Sequence, residues 1–178
     1  MADTAVPEGV PALSDPAPLR RLREQFPDAV LDVVEFRGET TVRVPKEQVK
    51  AICAFLRDDP ATRMNYLTDL TAVDETPRQP RFDVVYHCYS IPLNHSLRLK
   101  AAVGEDEAID SVTDIWAAAN WAERECYDMF GIPFAGHPDL RRILLPDYWD
   151  EGYPLRKEYP LRGFQQNKWD YEPERTTR

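Results

Sequence analysis

The last third of this chain cannot build a regular element of its own. From Gly131 onward, six prolines (133, 138, 146, 154, 160 and 173) interrupt a stretch that carries eight aromatic residues. Each proline removes a backbone donor and locks φ, which excludes a continuous helix and a central strand. Aromatic residues at this density are unlike a disordered tail, which is depleted in them. A segment that is ordered but not periodic needs a surface to lie on. The reading is an extended arm over 131–178 that crosses its own domain and then a partner, fixed by Tyr148, Trp149, Tyr153, Tyr159 and Trp169.

The residues before it are periodic. Leu19 to Phe26 reads as a short helix ended before Pro27. Val30–Phe36 and Thr40–Val44 read as strands joined at Arg37-Gly38-Glu39, a hairpin. Pro45 suits a helix's first turn, and Val49, Ile52, Cys53 and Leu56 then recur at i, i+3, i+4 and i+7, one helical face. Asp58-Asp59-Pro60 stops that helix. Asn65–Val73, Arg81–Tyr89 and His95–Ala101 are three further strands, the last alternating polar and apolar as a half-buried strand does. Ser111 with Asp114 reads as the cap of a helix carrying Val112, Ile115, Trp116 and Ala119. Asn120 with Glu123 repeats the signal for a second helix, Trp121–Phe130, closed by Gly131. Arg124 and Asp128, at i and i+4, are placed as a surface pair. Short turns between strands and helices to one side give an α+β fold, a small mostly antiparallel sheet with helices packed on it. The expected division is a flexible, proline-rich start over 1–18, an α+β domain over 19–130, and the arm.

Composition narrows the function. At 178 residues with 43% hydrophobic content, one core is the expectation. No run approaches the roughly 20 apolar residues of a membrane-spanning helix, so no direct membrane insertion is expected. A net charge of -9 argues against nucleic-acid or anionic-lipid partners. Cys53, Cys88 and Cys126 are widely spaced, with no CxxC to hold zinc or an iron–sulfur cluster, and suit a reducing compartment. The N-terminus shows neither signal-peptide nor transit-peptide character, which makes cytoplasmic the expectation.

Two clusters invite a chemical reading. His87, Cys88 and His95 suggest a metal site, but adjacent His87 and Cys88 point to opposite faces of a strand and cannot share an ion. Glu123, Glu125, Asp128, His137 and Asp139 are dense enough for acid–base work, with Glu125 and Asp128 on one helical face. No phosphate loop, nucleophile elbow or HExxH accompanies them. Pro138 holds His137 extended, and the forks of Arg141 and Arg142 suit carboxylates at a protein interface.

Ala119-Asn120-Trp121-Ala122-Glu123-Arg124-Glu125-Cys126-Tyr127-Asp128-Met129-Phe130-Gly131-Ile132, then His137-Pro138-Asp139-Leu140-Arg141-Arg142-Ile143-Leu144, then Pro154-Leu155-Arg156-Lys157-Glu158-Tyr159-Pro160, resemble the linked signatures of the respiratory complex I 30 kDa subunit family. The resemblance implies a core subunit of the peripheral arm of a proton-translocating NADH:quinone oxidoreductase, scaffolding the quinone-reducing module beside the 49 kDa-type subunit and neighbouring peripheral-arm subunits. It implies no flavin, cluster or quinone on this chain, with NADH, FMN, iron–sulfur clusters and quinone served by other subunits. It implies a peripheral place on the cytoplasmic face of a bacterial cell membrane. It offers no catalytic, cofactor-binding or metal-binding residue. Glu123, Arg124, Glu125, Asp128, Gly131, His137, Pro138, Arg141 and Arg142 match the signature as structural or interface candidates. The same subunit type in complexes driven by reduced deazaflavin, ferredoxin or hydrogen is the alternative, and a free-standing acid–base enzyme using His137 is a third.

Overall fold

The structure, a computed structural model, describes residues 15–161. The expectations for residues 1–14, and for Trp169 and the rest of 162–178, lie outside the described residues. Helix α1 (Ala17–Gln25) starts with Pro18 in its first turn and buries Leu19 and Leu22. Strands β1 (Asp32–Phe36) and β2 (Glu39–Val44) form the predicted hairpin. Arg37 and Gly38 both adopt positive φ, 53° and 79°, so the two-residue turn matches the right-handed twist of its strands. A 3-10 turn (Lys46–Gln48) leads into α2 (Val49–Asp58), which buries Val49, Ile52, Cys53 and Leu56 as the spacing predicts. Strands β3 (Tyr66–Asp74), β4 (Phe82–Ser90) and β5 (His95–Val103) follow.

The five strands form one sheet in the order β1-β2-β5-β4-β3, parallel only between β2 and β5. Register decides which side chains are covered. Val42, Leu99, Tyr86 and Leu70 lie in one cross-strand row, and Val44, Ala101, Val84 and Ala72 in the next. All eight are buried, beneath a layer that includes Leu22, Ile52 and Leu56 from the helices. The opposite face carries Thr41, Arg43, Arg98, Lys100 and His87, as an antiparallel sheet with one solvated side should. Burial of a Leu or Ile side chain stabilises by roughly 1.5–3 kcal/mol, against about 0–1 kcal/mol for an exposed ion pair. The core therefore sets the fold, and the surface charges do not.

The segment before the last helix departs from expectation. No helix forms over 111–118. Instead β6 (Ile109–Asp110) pairs in parallel with β7 (Phe134–Ala135), and Ser111 N–H continues the ladder to the Ala135 carbonyl at 2.9 Å. Ser111 Oγ meets Thr113 Oγ1 rather than capping a helix. Ile115 and Trp116 N–H both bond the Val112 carbonyl, one tight turn that stops there. The Trp116 indole donates to the Met64 carbonyl at 2.9 Å, so a long-range anchor overrides the local helical pattern. Helix α3 (Ala119–Phe130) starts before the predicted Trp121, with Asn120 inside it and Ala118, which has no side-chain acceptor, at its N-cap; the Glu123 carboxylate accepts from Val112 N–H at 2.7 Å instead of completing a capping box. Gly131 closes α3 in the left-handed conformation, as predicted.

Apart from β7, residues 131–161 form no helix or strand and run through successive turns, such as those closed by Trp149 N–H on the Pro146 carbonyl and Tyr159 N–H on the Arg156 carbonyl. Their start belongs to the core. Ile132 and Phe134 are buried with the sheet residues, so packing continues past the expected boundary at 130.

Candidate functional site

Helix α3 is the hub onto which the irregular segment is fastened. Its Asp128 carboxylate is fully buried and holds four donors. Oδ1 accepts from the Arg142 guanidinium at 3.0 Å, and Oδ2 accepts from the backbone N–H groups of Ile143, Leu144 and Leu145 at 3.0, 2.8 and 2.8 Å. Burial alone pushes this carboxyl up, but the three backbone donors and Arg142 together outweigh it and hold it below its ordinary value. One turn earlier, Arg124 donates through Nε to the Arg141 carbonyl at 3.1 Å and through Nη2 to the Arg142 carbonyl at 3.0 Å. Arg124 and Asp128 therefore do not pair on the surface as expected. Both are buried, and each binds the 141–145 backbone instead. A loop without secondary structure has its peptide groups satisfied by one anion and one cation of the neighbouring helix.

The remaining signature residues take separate places. His137 Nδ1 accepts from Asp139 N–H at 3.0 Å, which leaves Nε2–H to donate to the Asn120 carbonyl at 3.1 Å. The ring thus staples the loop back to the start of α3, with Pro138 exposed beyond it. Arg141 points outward and pairs with Asp139 at 2.8 Å. Glu125 faces solvent. Glu123 faces the opposite way, fully buried, with Oε2 unpartnered and its pKa pushed up to about 7 by burial. The acid–base grouping of Glu123, Glu125, Asp128 and His137 is not assembled: each side chain has its own surroundings or partners.

A second fastening joins the segment to the sheet edge, through Tyr153 and the 155–158 signature residues on one side and Asp74, Arg81 and Glu105, which the sequence did not single out, on the other. Arg81 grips Asp74 through Nε and Nη2 at 3.2 and 2.7 Å, and also pairs with Glu105 at 3.1 Å and with Glu158. Asp74 further accepts from Lys157 N–H at 2.9 Å and from the Thr76 hydroxyl at 2.7 Å. Burial is the largest influence on Asp74 and raises it, yet Arg81 and these donors together hold it far below the usual carboxylate range. Arg156 donates to the Phe130 carbonyl at 2.7 Å and stacks over the Tyr153 and Phe82 rings at 4.5 and 5.3 Å. Leu155 N–H bonds the Met129 carbonyl at 3.2 Å. Tyr153 and Arg156 had a legible signal, a ring and a fork inside a proline-framed segment. Asp74 and Arg81 had none, because only strand pairing brings them together.

Among the described residues no group of three or more His, Cys, Asp or Glu side chains could hold a metal ion. No helix among them is long and apolar enough to cross a membrane. Cys53, Cys88 and Cys126 are all buried and free.

This arrangement, an α+β domain with an irregular strap sewn onto its last helix, belongs to a known structural class. The solved structure of a trypsin-resistant fragment (1–134) of Nqo5 superposes with a TM-score of 0.60 at 34% identity, covering 69% of this chain and 99% of the fragment. The fold also occurs in the membrane-bound sulfane sulfur reductase, an archaeal respiratory membrane complex, with a TM-score of 0.66 at 24% identity over 80% of this chain and 84% of that one. The C-type subunit of the NADH-quinone oxidoreductase from Geotalea uraniireducens (strain Rf4) is 55% identical over 80% of this chain and 86% of its own length. Residues 42–165 match the family described as the respiratory-chain NADH dehydrogenase 30 kDa subunit. The chain belongs to that family.

Proposed function

We propose that this chain is a scaffolding subunit in the peripheral arm of a proton-translocating NADH:quinone oxidoreductase, stiffening the quinone-reducing module against a large subunit of the 49 kDa type. The observation that carries this reading is how the signature's buried polar groups are employed. Arg124, Asp128 and His137 each bond the backbone of a neighbouring segment. Such residues set the shape of a surface; they do not position a substrate. In this reading the chain supplies no catalytic group and holds no flavin, cluster or quinone. NADH, FMN, iron–sulfur clusters and quinone are handled by other subunits, and the chain lies on the cytoplasmic face of the membrane through its neighbours.

The test is purification of the complex through a tag on the large subunit. The chain should co-elute in equal amount, while the chain purified alone should show no flavin or iron absorbance and no NADH oxidation. Stoichiometric iron or flavin in the isolated chain would refute the reading. The fold shared with the archaeal sulfane sulfur reductase supports a second reading, the same scaffold role in a complex with another electron donor. The identity of the co-eluting subunits separates the two.

A further inference from the structure

We infer that the outer side of α3 and the 141–145 loop form a preorganised docking surface, anchored by Trp121 and Leu144, for an apolar, basic-rimmed patch of a neighbouring protein subunit. This rests on the assembly reading above and adds the place and chemistry of the contact. Trp121 is 66% exposed and Leu144 is 61% exposed. Isolated exposed apolar side chains are ordinary on protein surfaces. These two differ in how firmly they are held. The Arg124 guanidinium lies over the Trp121 ring at 5.6 Å, and the same guanidinium is fixed by the carbonyls of Arg141 and Arg142. Leu144 is the central member of the three residues whose N–H groups converge on the buried Asp128 carboxylate.

Trp121, Arg124 and Asp128 fall at i, i+3 and i+7, so one helical face supports both anchors. Fixing an exposed leucine and an exposed tryptophan brings nothing to the free chain, whose core is complete without them. Rigid, ready-placed side chains lower the entropy lost on association, and Trp is enriched among the residues that dominate interface energies. The chemistry of the partner follows from the rim. Exposed Glu125 follows Trp121 by one helical turn and exposed Asp147 follows Leu144 by three residues, while Asp139 and Arg141 pair with each other and cancel, on a chain of net charge -9. An acidic rim around apolar anchors is complementary to an apolar patch flanked by Lys or Arg.

A photo-crosslinking amino acid at position 144 in the assembled, membrane-extracted complex tests this, with position 35 on the far sheet edge as the control. Position 144 should crosslink to another subunit, at an apolar segment with flanking basic residues, and position 35 should not reach that segment. Leu144→Asp should lower recovery of the chain with the tagged large subunit at least about tenfold, equivalent to about 1.4 kcal/mol, while Leu144→Met retains it. Melting of the free L144D chain should match wild type, since the residue is exposed. Crosslinks that stay within this chain, or reach only lipid or a second copy, overturn the inference, as does unchanged recovery of L144D. If the wild-type chain itself fails to co-elute, the assembly reading falls. If it co-elutes and L144D does too, only the docking surface falls.

Discussion

Gly131 lies directly against Tyr153: a β-carbon on the glycine would sit 2.5 Å from the tyrosine Cζ and 2.6 Å from Cε2. The helix end and the strap therefore meet at a position that tolerates only a hydrogen. Gly131 also has φ +79°, a conformation that strains other residues. Gly131→Ala should destabilise by roughly 2–3 kcal/mol, combining about 1–2 kcal/mol of backbone strain with displacement of the ring. Urea denaturation of the full chain measures this, and a shift indistinguishable from zero would contradict the close approach.

Asp128→Asn should remove a charge that four donors surround. An amide offers one acceptor atom in place of two and sets N–H groups against N–H groups, a loss of roughly 2–4 kcal/mol for a buried charged network. The folded pKa is depressed, so the stabilisation is present above the unfolded value near 3.8 and disappears as pH falls through the folded one. Acid titration of wild type should show a transition that D128N lacks. Hydrogen exchange at Ile143, Leu144 and Leu145 should quicken in the variant before global unfolding. Unchanged protection there would argue against the carboxylate's role.

Arg81→Ala leaves Asp74, whose side chain is 2% exposed, without its cation. Breaking a buried pair this way costs about 3–5 kcal/mol. Glu158→Gln at the same cluster should change stability by less than about 1 kcal/mol, because Glu158 is exposed and water screens its pair with Arg81. Thermal melts of the two variants should differ widely. Equal effects would mean that the buried Asp74–Arg81 contact is not the dominant one.

Glu123 predicts the opposite pH trend. Its folded pKa, about 7, lies above the ordinary 4.5, so the folded protein binds this proton more tightly than the unfolded chain. The stabilisation is complete below about 4.5 and is lost as pH rises through about 7, a swing of roughly 3 kcal/mol. Glu123→Gln stays neutral, so its stability should vary less between about pH 6 and 8 and should exceed wild type at the upper end. Parallel wild-type and E123Q profiles across that range would show that the carboxyl does not titrate there.

Periodicity made most of the fold readable. The short helix before Pro27, the helical stripe at Val49–Leu56 and the five strands of the main sheet lie within a residue or two of where β-prone runs, alternation and turn residues put them. The pattern over 111–119 misleads because Val112, Ile115, Trp116 and Ala119 do have helical spacing, while what decides their conformation is remote: Met64 takes the indole, and Ala135 and Glu123 take the backbone donors. The candidate site was legible as a set of residues but not as a set of bonds. Arg124 and Asp128 look like an i, i+4 pair until the 141–145 backbone, more than a dozen residues away, supplies better partners for each. Asp74 and Arg81 left no local mark, since their meeting depends on β3–β4 register.

The short ladder between Ile109–Asp110 and Phe134–Ala135 settles where this polypeptide can be divided. A cut after Phe130 would take away one strand of that ladder, remove Ile132 and Phe134 from the interior, and strip Asp128 of every donor it holds. Engineered ends or fusions placed beyond Leu145 keep the ladder, the two interior side chains and the four donors of Asp128 together.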